Sequence, residues 1–282
     1  MLTQVLLIAA MSSALYMLLA LGFTLIFGIL RIVNFAHGEF VMIGAYAVFA
    51  LTSGLGLGYA AALPLAALLA GGLGLLAERA LFRRYAGDEL GGMIMSLALA
   101  ITLQGAAAVL FTIDQQSVER PVTGVLRIGD AVLPKDQLFV AGFALAAVAA
   151  FHLLVQRTRF GLALRAVAQD PETLRLQGVS PRRLYPAAFG IGCLLAGLAG
   201  ALTAPLYTIH PYMGETAILK AFIVVVLGGL GSVPGAIAAS VLLGVTEAAV
   251  STWLGVTAAT LTSFVAVMAI LLVKPTGLGG RA

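Results

Sequence analysis

Charge is scarce in this sequence. Only 10% of its 282 residues are Asp, Glu, Lys or Arg, while 61% are hydrophobic, against roughly 25% and 45–50% in ordinary soluble domains. A chain of this length has too little polar surface to cover so much apolar side chain. The composition therefore excludes a soluble globular domain and indicates repeated membrane crossings. Cysteine occurs once, as Cys193 within an apolar run, which excludes a disulfide within the chain and any cysteine-based metal site. Histidine occurs three times, too scattered for a spaced set of metal ligands or a Ser/His/Asp triad, so no metal site is expected. The phosphate-binding pattern Gly-x-x-x-x-Gly-Lys-Ser/Thr is missing, which excludes ATP binding by that device. An enzyme with its own active site is not expected. The net charge of +4 is no sign of nucleic-acid binding, because the arginines gather at the edges of apolar runs.

What is present is a succession of apolar runs at 5–30, 59–78, 92–113, 138–156, 184–207, 235–254 and 257–273. Each approaches the ~20 residues that cross ~30 Å of hydrocarbon. Two shorter runs lie at 40–52 and 217–230. Counting both as crossings gives nine, with the N-terminus outside and the C-terminus inside; counting one gives eight. In the nine-crossing arrangement Arg31, Arg79, Arg83, Arg84, the six arginines from Arg157 to Arg183, Lys274 and Arg281 fall inside. Arg120, Arg127, Lys135 and Lys220 fall outside or near the outer boundary, and a split of 12 against 4 is what the positive-inside rule favours. The first run carries no charged leader region and reads as a retained span. In the outer loop at 114–137, the stretch VLRIGDAVLP predicts a small hairpin.

The segment RTRFGLALRAVAQDPETLRLQGVSPRR (157–183) breaks the apolar pattern with six arginines and two acids. Asp170 as N-cap, Pro171 at the first helical position and Glu172 in the first turn predict a helix start. Gly178, followed by Val179 and Pro181, predicts its stop. A helix of about two turns outside the bilayer follows. A plain positive-inside loop accounts for the arginines; a surface that docks a cytosolic partner accounts for the helix punctuation as well.

Two segments are candidates for a translocation path, because short apolar helices interrupted by glycine mark such paths. The first is Asn34-Phe35-Ala36-His37-Gly38-Glu39, read as a broken helix at or very near membrane depth in preference to a tight cytoplasmic turn. The second is the run containing Gly228, Gly229 and Gly231 and ending at Pro234-Gly235, read either as a cytoplasmic turn or as a second break whose freed backbone groups face protein or water. Glu247, in the middle of an apolar run, must face the protein interior or a cavity. It is either a path residue or a carboxylate tying two helices together. Lys220 is expected to snorkel outward. Small residues every fourth position, at Gly192, Ala196, Gly200, Ala204 and at Ala66, Ala70, Gly74, predict two closely packed central helices.

Three classes survive these exclusions: a transport subunit powered by a partner, a self-contained carrier or channel, and a membrane scaffold. An ion-coupled carrier calls for more buried carboxylates than Glu39 and Glu247, and a scaffold has no use for a capped cytoplasmic helix. The first class is favoured.

Three blocks then carry a family resemblance. GFTLIFGILRIVNFAHGEFVMIGAYAVF (22–49), GLALRAVAQDPETLRLQGVSPRRLYPAAFGIGCLLAGLAGAL (161–202) and KAFIVVVLGGLGSVPGAIAASVLLGVTE (220–247), in that order, resemble the permeases of branched-chain amino acid ABC importers, as does LLVKPTGLGG near the C-terminus. The resemblance covers nearly the whole chain. It is less specific for solute, since permeases for urea, short amides or other amino acids share much of the pattern. It implies an all-α polytopic transmembrane bundle of eight or nine spans, with broken helices near the path and a type II-like importer architecture, forming one domain over 1–282 in a bacterial inner membrane. It implies a second homologous permease, identical or not, two cytoplasmic ATP-binding subunits that hold the ATP and Mg, a periplasmic solute-binding protein and surrounding lipid. No cofactor of the chain's own is implied. Pro171–Gln177 would be the coupling helix, with Leu174, Leu176 and Val179 as apolar plugs and Arg175, Arg182 and Arg183 as a charged rim. Asn34, His37, Gly38, Glu39 and the Gly228–Gly235 segment would line or shape the path.

Overall fold

A computed structural model describes residues 2–128, 131–274 and 276–279. Arg281 and the two residues at the tip of the expected hairpin lie outside the described residues. Among those described, the chain forms eleven α-helices and one two-stranded hairpin. In chain order these are α1 (Leu2–Leu30), α2 (His37–Phe49), α3 (Tyr59–Ala80), α4 (Glu89–Phe111), β1 (Val125–Ile128), β2 (Ala131–Pro134), α5 (Lys135–Arg157), α6 (Arg159–Gln169), α7 (Pro171–Leu176), α8 (Pro181–Thr203), α9 (Met213–Gly228), α10 (Val233–Leu254) and α11 (Val256–Val273). One π-helical turn, Ala50–Gly54, extends α2, and a 3₁₀ turn, Phe82–Tyr85, follows α3. The hairpin pairs antiparallel, Val125 with Pro134 and Ile128 with Ala131, at the stretch where it was expected.

Six helices, α1, α3, α4, α5, α8 and α10, are long and apolar enough to cross a membrane. The expected apolar runs lie within the helices to a few residues, except that 184–207 overruns α8. That helix stops at Thr203 because Pro205 has no N–H to donate to the carbonyl of Ala201. The Tyr59 hydroxyl donates to that carbonyl instead, at 2.8 Å. The basic segment holds a helix the sequence reading did not separate. In α6, Thr158 caps the start by accepting from Gly161 N at 2.9 Å, and Leu164 and Val167 bury one face.

α8 is the centre of the bundle, and its small residues explain why. Toward α3, Gly74 lies over the side chain of Cys193 and Gly71 over Leu194. Toward α1, Gly22 and Gly192 meet backbone to backbone, and toward α2, Gly44 faces Gly197 and Gly200 faces Val41. The stripe Gly192–Ala196–Gly200 thus receives α1 and α2, while α3 packs on the neighbouring face at Gly190, Cys193 and Gly197. α1 is also pressed to α10, where Gly244 faces Ser13. A bundle with apolar lipid around it gains little from apolar burial, so such close backbone approach is what holds it. α4 and α5 lie at the periphery and remain largely exposed.

Candidate functional site

α1 ends at Leu30, and the left-handed backbone of Arg31 (φ 54°) turns the chain back into the bundle. The returning segment, 32–36, runs along α4, which serves as a depth gauge. Ile32 meets Gly92, the Phe35 N–H donates to Ser96 Oγ at 3.0 Å, Glu39 accepts from Gln104 Nε2 at 3.0 Å, and Tyr46 stacks on Phe111 at 4.4 Å. Gln104 is fifteen residues beyond the start of α4 at Glu89 and seven short of its end at Phe111. At 1.5 Å per residue those are ~22 Å and ~10 Å. Measured along α4, the start of α2 therefore lies between the two ends of that helix, and the chain is interrupted at 31–36, just ahead of His37, Gly38 and Glu39 in the first turn of α2.

The break satisfies most of its own polar groups. Asn34 Oδ1 accepts from Ala36 N at 3.1 Å and Asn34 O accepts from His37 N. His37 is wholly buried; its Nε2 donates to Leu19 O at 3.1 Å and its ring stands edge-on to Phe23 at 5.5 Å. Three atoms here have no hydrogen-bond partner: Asn34 Nδ2, His37 Nδ1 and Glu39 Oε2. All three belong to side chains with at most 2% exposure, and buried polar groups left unpaired are costly and rare.

A second helix starts at the same depth. Gly38 in the first turn of α2 packs against Gly214 and Ile218 of α9, and a Cβ on Gly214 would lie 2.6 Å from Glu39 Oε2. Glu215, also in the first turn of α9, lies 3.5 Å through Oε1 from the same Gln104 amide nitrogen. The sequence reading missed Gln104, Gly214 and Glu215. A signal existed in the repeated Gly-Glu step at the two helix starts, His37-Gly38-Glu39 and Met213-Gly214-Glu215.

The glycine-rich segment behaves differently. Gly228 ends α9, Gly229 and Gly231 take φ of 92° and 82°, and Ser232 caps α10 by accepting from Gly235 N at 3.2 Å. Gly231 faces Gly28 near the end of α1, beside a cleft of about 550 Å³ shared with Arg31, Glu89 and Arg165. That is the level at which α4 begins. The segment forms a tight turn between α9 and α10. The two free carbonyls of Leu227 and Gly228 accept from Leu278 N at 2.8 Å and Gly279 N at 2.9 Å.

Glu247 ties helices. It accepts hydrogen bonds from Tyr16 Oη of α1 and Lys220 Nζ of α9, while the Lys220 ammonium also sits 5.6 Å from the Tyr16 ring centre. Outward snorkelling of Lys220 is thereby corrected: a carboxylate within reach in a low-dielectric bundle outweighs a longer route to water.

In the basic segment, Asp170 caps α7, accepting from Glu172 N at 2.9 Å and Thr173 N at 3.0 Å. The Thr173 hydroxyl and these N–H groups hold the Asp170 carboxyl below the usual carboxylate range. α7 stops at Leu176, and Gly178 (φ 82°) closes the turn. Leu174 is buried in the core and so anchors α7 to the bundle; as an outward plug it is corrected. Leu176 is 89% exposed and Val179 is exposed beside it. Arg175 reaches over a cavity of about 190 Å³ that it shares with the buried Glu78. Arg182 and Arg183 join Arg79 and Arg83 in one exposed basic patch.

Known proteins fit this architecture. The chain is 33% identical to the high-affinity branched-chain amino acid transport system permease protein LivH of Escherichia coli (strain K12), over 94% of this chain and 91% of that one. It is 31% identical to the corresponding permease BraD of Pseudomonas aeruginosa over 94% and 92%. To LivM of Escherichia coli (strain K12), of the same transport system by name, it is 27% identical over 82% of this chain and 60% of that one. No solved structure matches it. Residues 5–274 match the family described as the branched-chain amino acid transport system permease component, and a multi-pass helical chain matched over that length belongs to that family.

Proposed function

We propose that this chain is the permease subunit of an ATP-binding-cassette importer that carries branched-chain or other neutral amino acids across a bacterial inner membrane. It crosses nine times, with its N-terminus periplasmic and its C-terminus cytoplasmic. A second, homologous permease completes the path, a periplasmic binding protein delivers solute, and two cytoplasmic subunits bind ATP and Mg and hydrolyse the nucleotide. The chain itself performs no chemistry. Names of its relatives support the solute class, and the match to both LivH and LivM supports a paired permease.

One observation carries the mechanism: the capped helix α7 leaves Leu176 almost fully exposed while Leu174 fastens it to the core. An apolar side chain held out on a rigid, anchored helix is suited to a socket on another subunit. The patch of Arg79, Arg83, Arg182 and Arg183 suits an acidic rim on that subunit. Closure of the ATPases on ATP would push α7, and through α6 and α8 shift the helices that meet at Glu39, alternating the path between its two openings.

The test is purification of the chain from its native membrane with identification of what stays bound. Recovery of a second permease and nucleotide-binding subunits is expected. Recovery of the chain alone, active in proteoliposomes without ATP, overturns the reading in favour of a self-contained carrier or channel.

A further inference from the structure

α2 and α9 start at one point and run apart. From the level of Gln104, α2 rises with Tyr46 against Phe111 near the far end of α4. α9 descends until Gly231, just past its end, reaches Gly28 beside Glu89. Two short helices, of 13 and 16 residues, thus meet start to start partway along α4, and each carries a glutamate in its first turn. Glu39 Oε1 and Glu215 Oε1 lie 3.0 and 3.5 Å from the single Gln104 Nε2. Glu215 is exposed and Gln104 half-buried beside it, with Glu39 buried behind them. A carboxylate exposed at this depth is costly against lipid, which favours a water-filled path or a subunit contact on this face.

Charge arithmetic says what the junction would hold. Each helix start contributes roughly +0.5 charge, so two contribute about +1 against two carboxylates, leaving a net of about −1. That suits one monovalent cation. The second and independent sign is Glu39 Oε2. It is an acceptor without a partner on a side chain only 2% exposed, directed at the start of α9 across Gly214, where a Cβ would crowd it at 2.6 Å.

We propose that Glu39, Glu215 and Gln104 form the subsite that receives the ammonium group of an α-amino acid during translocation. The assignment rests on the amino acid reading above and sharpens it. A zwitterion supplies the cation that urea and short amides lack, so the junction selects against them. Glu39 Oε2 accepts from the ammonium, Glu215 guards the open side, and Gln104 keeps the two carboxylates apart.

The experiment uses the assembled complex in detergent without binding protein, melted in the presence of leucine, isopentylamine or 4-methylpentanoate at millimolar concentration. Isopentylamine keeps the ammonium and side chain of leucine; 4-methylpentanoate keeps the carboxylate and side chain. Leucine and isopentylamine are expected to raise the melting temperature by several degrees, and 4-methylpentanoate to leave it unchanged. Glu39→Gln, which keeps the bond to Gln104, is expected to lose that shift. Glu215→Gln, at an exposed position with little effect on folding, is expected to weaken it several-fold. A shift by 4-methylpentanoate, or an undiminished shift in both variants, overturns the assignment. So does release of the partner permease by Glu215→Gln without any ligand shift, which would give the carboxylates to the subunit contact. ATP-driven uptake in proteoliposomes separates the two readings. Leucine uptake by the native complex with melting indifferent to all three probes sinks the subsite alone. Uptake of urea in place of leucine sinks the solute reading and the subsite with it.

Discussion

At the scale of single residues, the Tyr16–Glu247–Lys220 cluster is a structural tie between three helices. Removing one member of a nearly buried ion pair strands the other charge, which costs about 3 kcal/mol or more, whereas replacing both partners with neutral groups costs far less. Lys220→Met is therefore expected to lower the thermal stability of the purified protein sharply, and Lys220→Met with Glu247→Gln to recover most of the loss; a double variant no better than the single would return Glu247 to the path. Gly44 makes a second residue-scale prediction. Its Cβ would enter the backbone of Gly197, so Gly44→Val is expected to cost about 1–3 kcal/mol or more by forcing α2 off α8, read as a loss of folded, detergent-stable protein. The sequence showed that Glu247 must be satisfied but not by whom, because Tyr16 lies 231 positions away and no local pattern spans that distance. The small-residue stripes announced close packing in the same way without naming the partner helices.

At the scale of elements, α7 was legible almost residue by residue. Asp170, Pro171 and Gly178 act within one turn of themselves, and local rules govern local structure. α6 escaped because its signal, Thr158 ahead of Leu164 and Val167, needs a surface to bury against before it differs from any charged loop. An interruption between α1 and α2 was legible from Gly38 and its polar neighbours, though it falls at 31–36 and leaves Gly38 inside α2. The start of α9 was not, since Glu215 has meaning only beside Glu39 and Gln104. Two expectations belong here. Leu176→Asp is predicted to abolish co-purification of the ATPase subunits with membrane insertion intact, and unchanged co-purification removes the docking role from α7. Asp170→Ala is predicted to weaken that association several-fold, with Asp170→Asn restoring it. Because the folded carboxyl titrates below its ordinary range, the capping contribution is present above the unfolded value and is lost as pH falls through the lowered one. Association in the native protein should therefore persist through the neutral range and fade only in acid, whereas the Asn variant should show no such acid limb from this position.

At the scale of the whole molecule, composition settled the membrane class, and the apolar runs located the helices to within a few residues. The arginine asymmetry predicts an orientation that can be tested at the described end of the chain. With Cys193 replaced by Ala, a cysteine at the exposed Thr276 should react in intact cells with membrane-permeant thiol reagents and not with impermeant ones. Labelling by an impermeant reagent would mean eight crossings. The central position of α8 has a further consequence, in time rather than in space. α1 packs chiefly on α10 and α8, and Glu247 follows Tyr16 by 231 residues. At ~5–20 residues per second of synthesis that is an interval of roughly 10–50 s. Throughout it the Tyr16 hydroxyl waits in the bilayer without its acceptor, and for most of it the faces of α1 and α2 that α8 covers stay open. The newborn chain is therefore a substrate for whatever shelters or discards half-built membrane proteins, and variants that delay the arrival of α8 should be lost before they are ever seen to transport poorly.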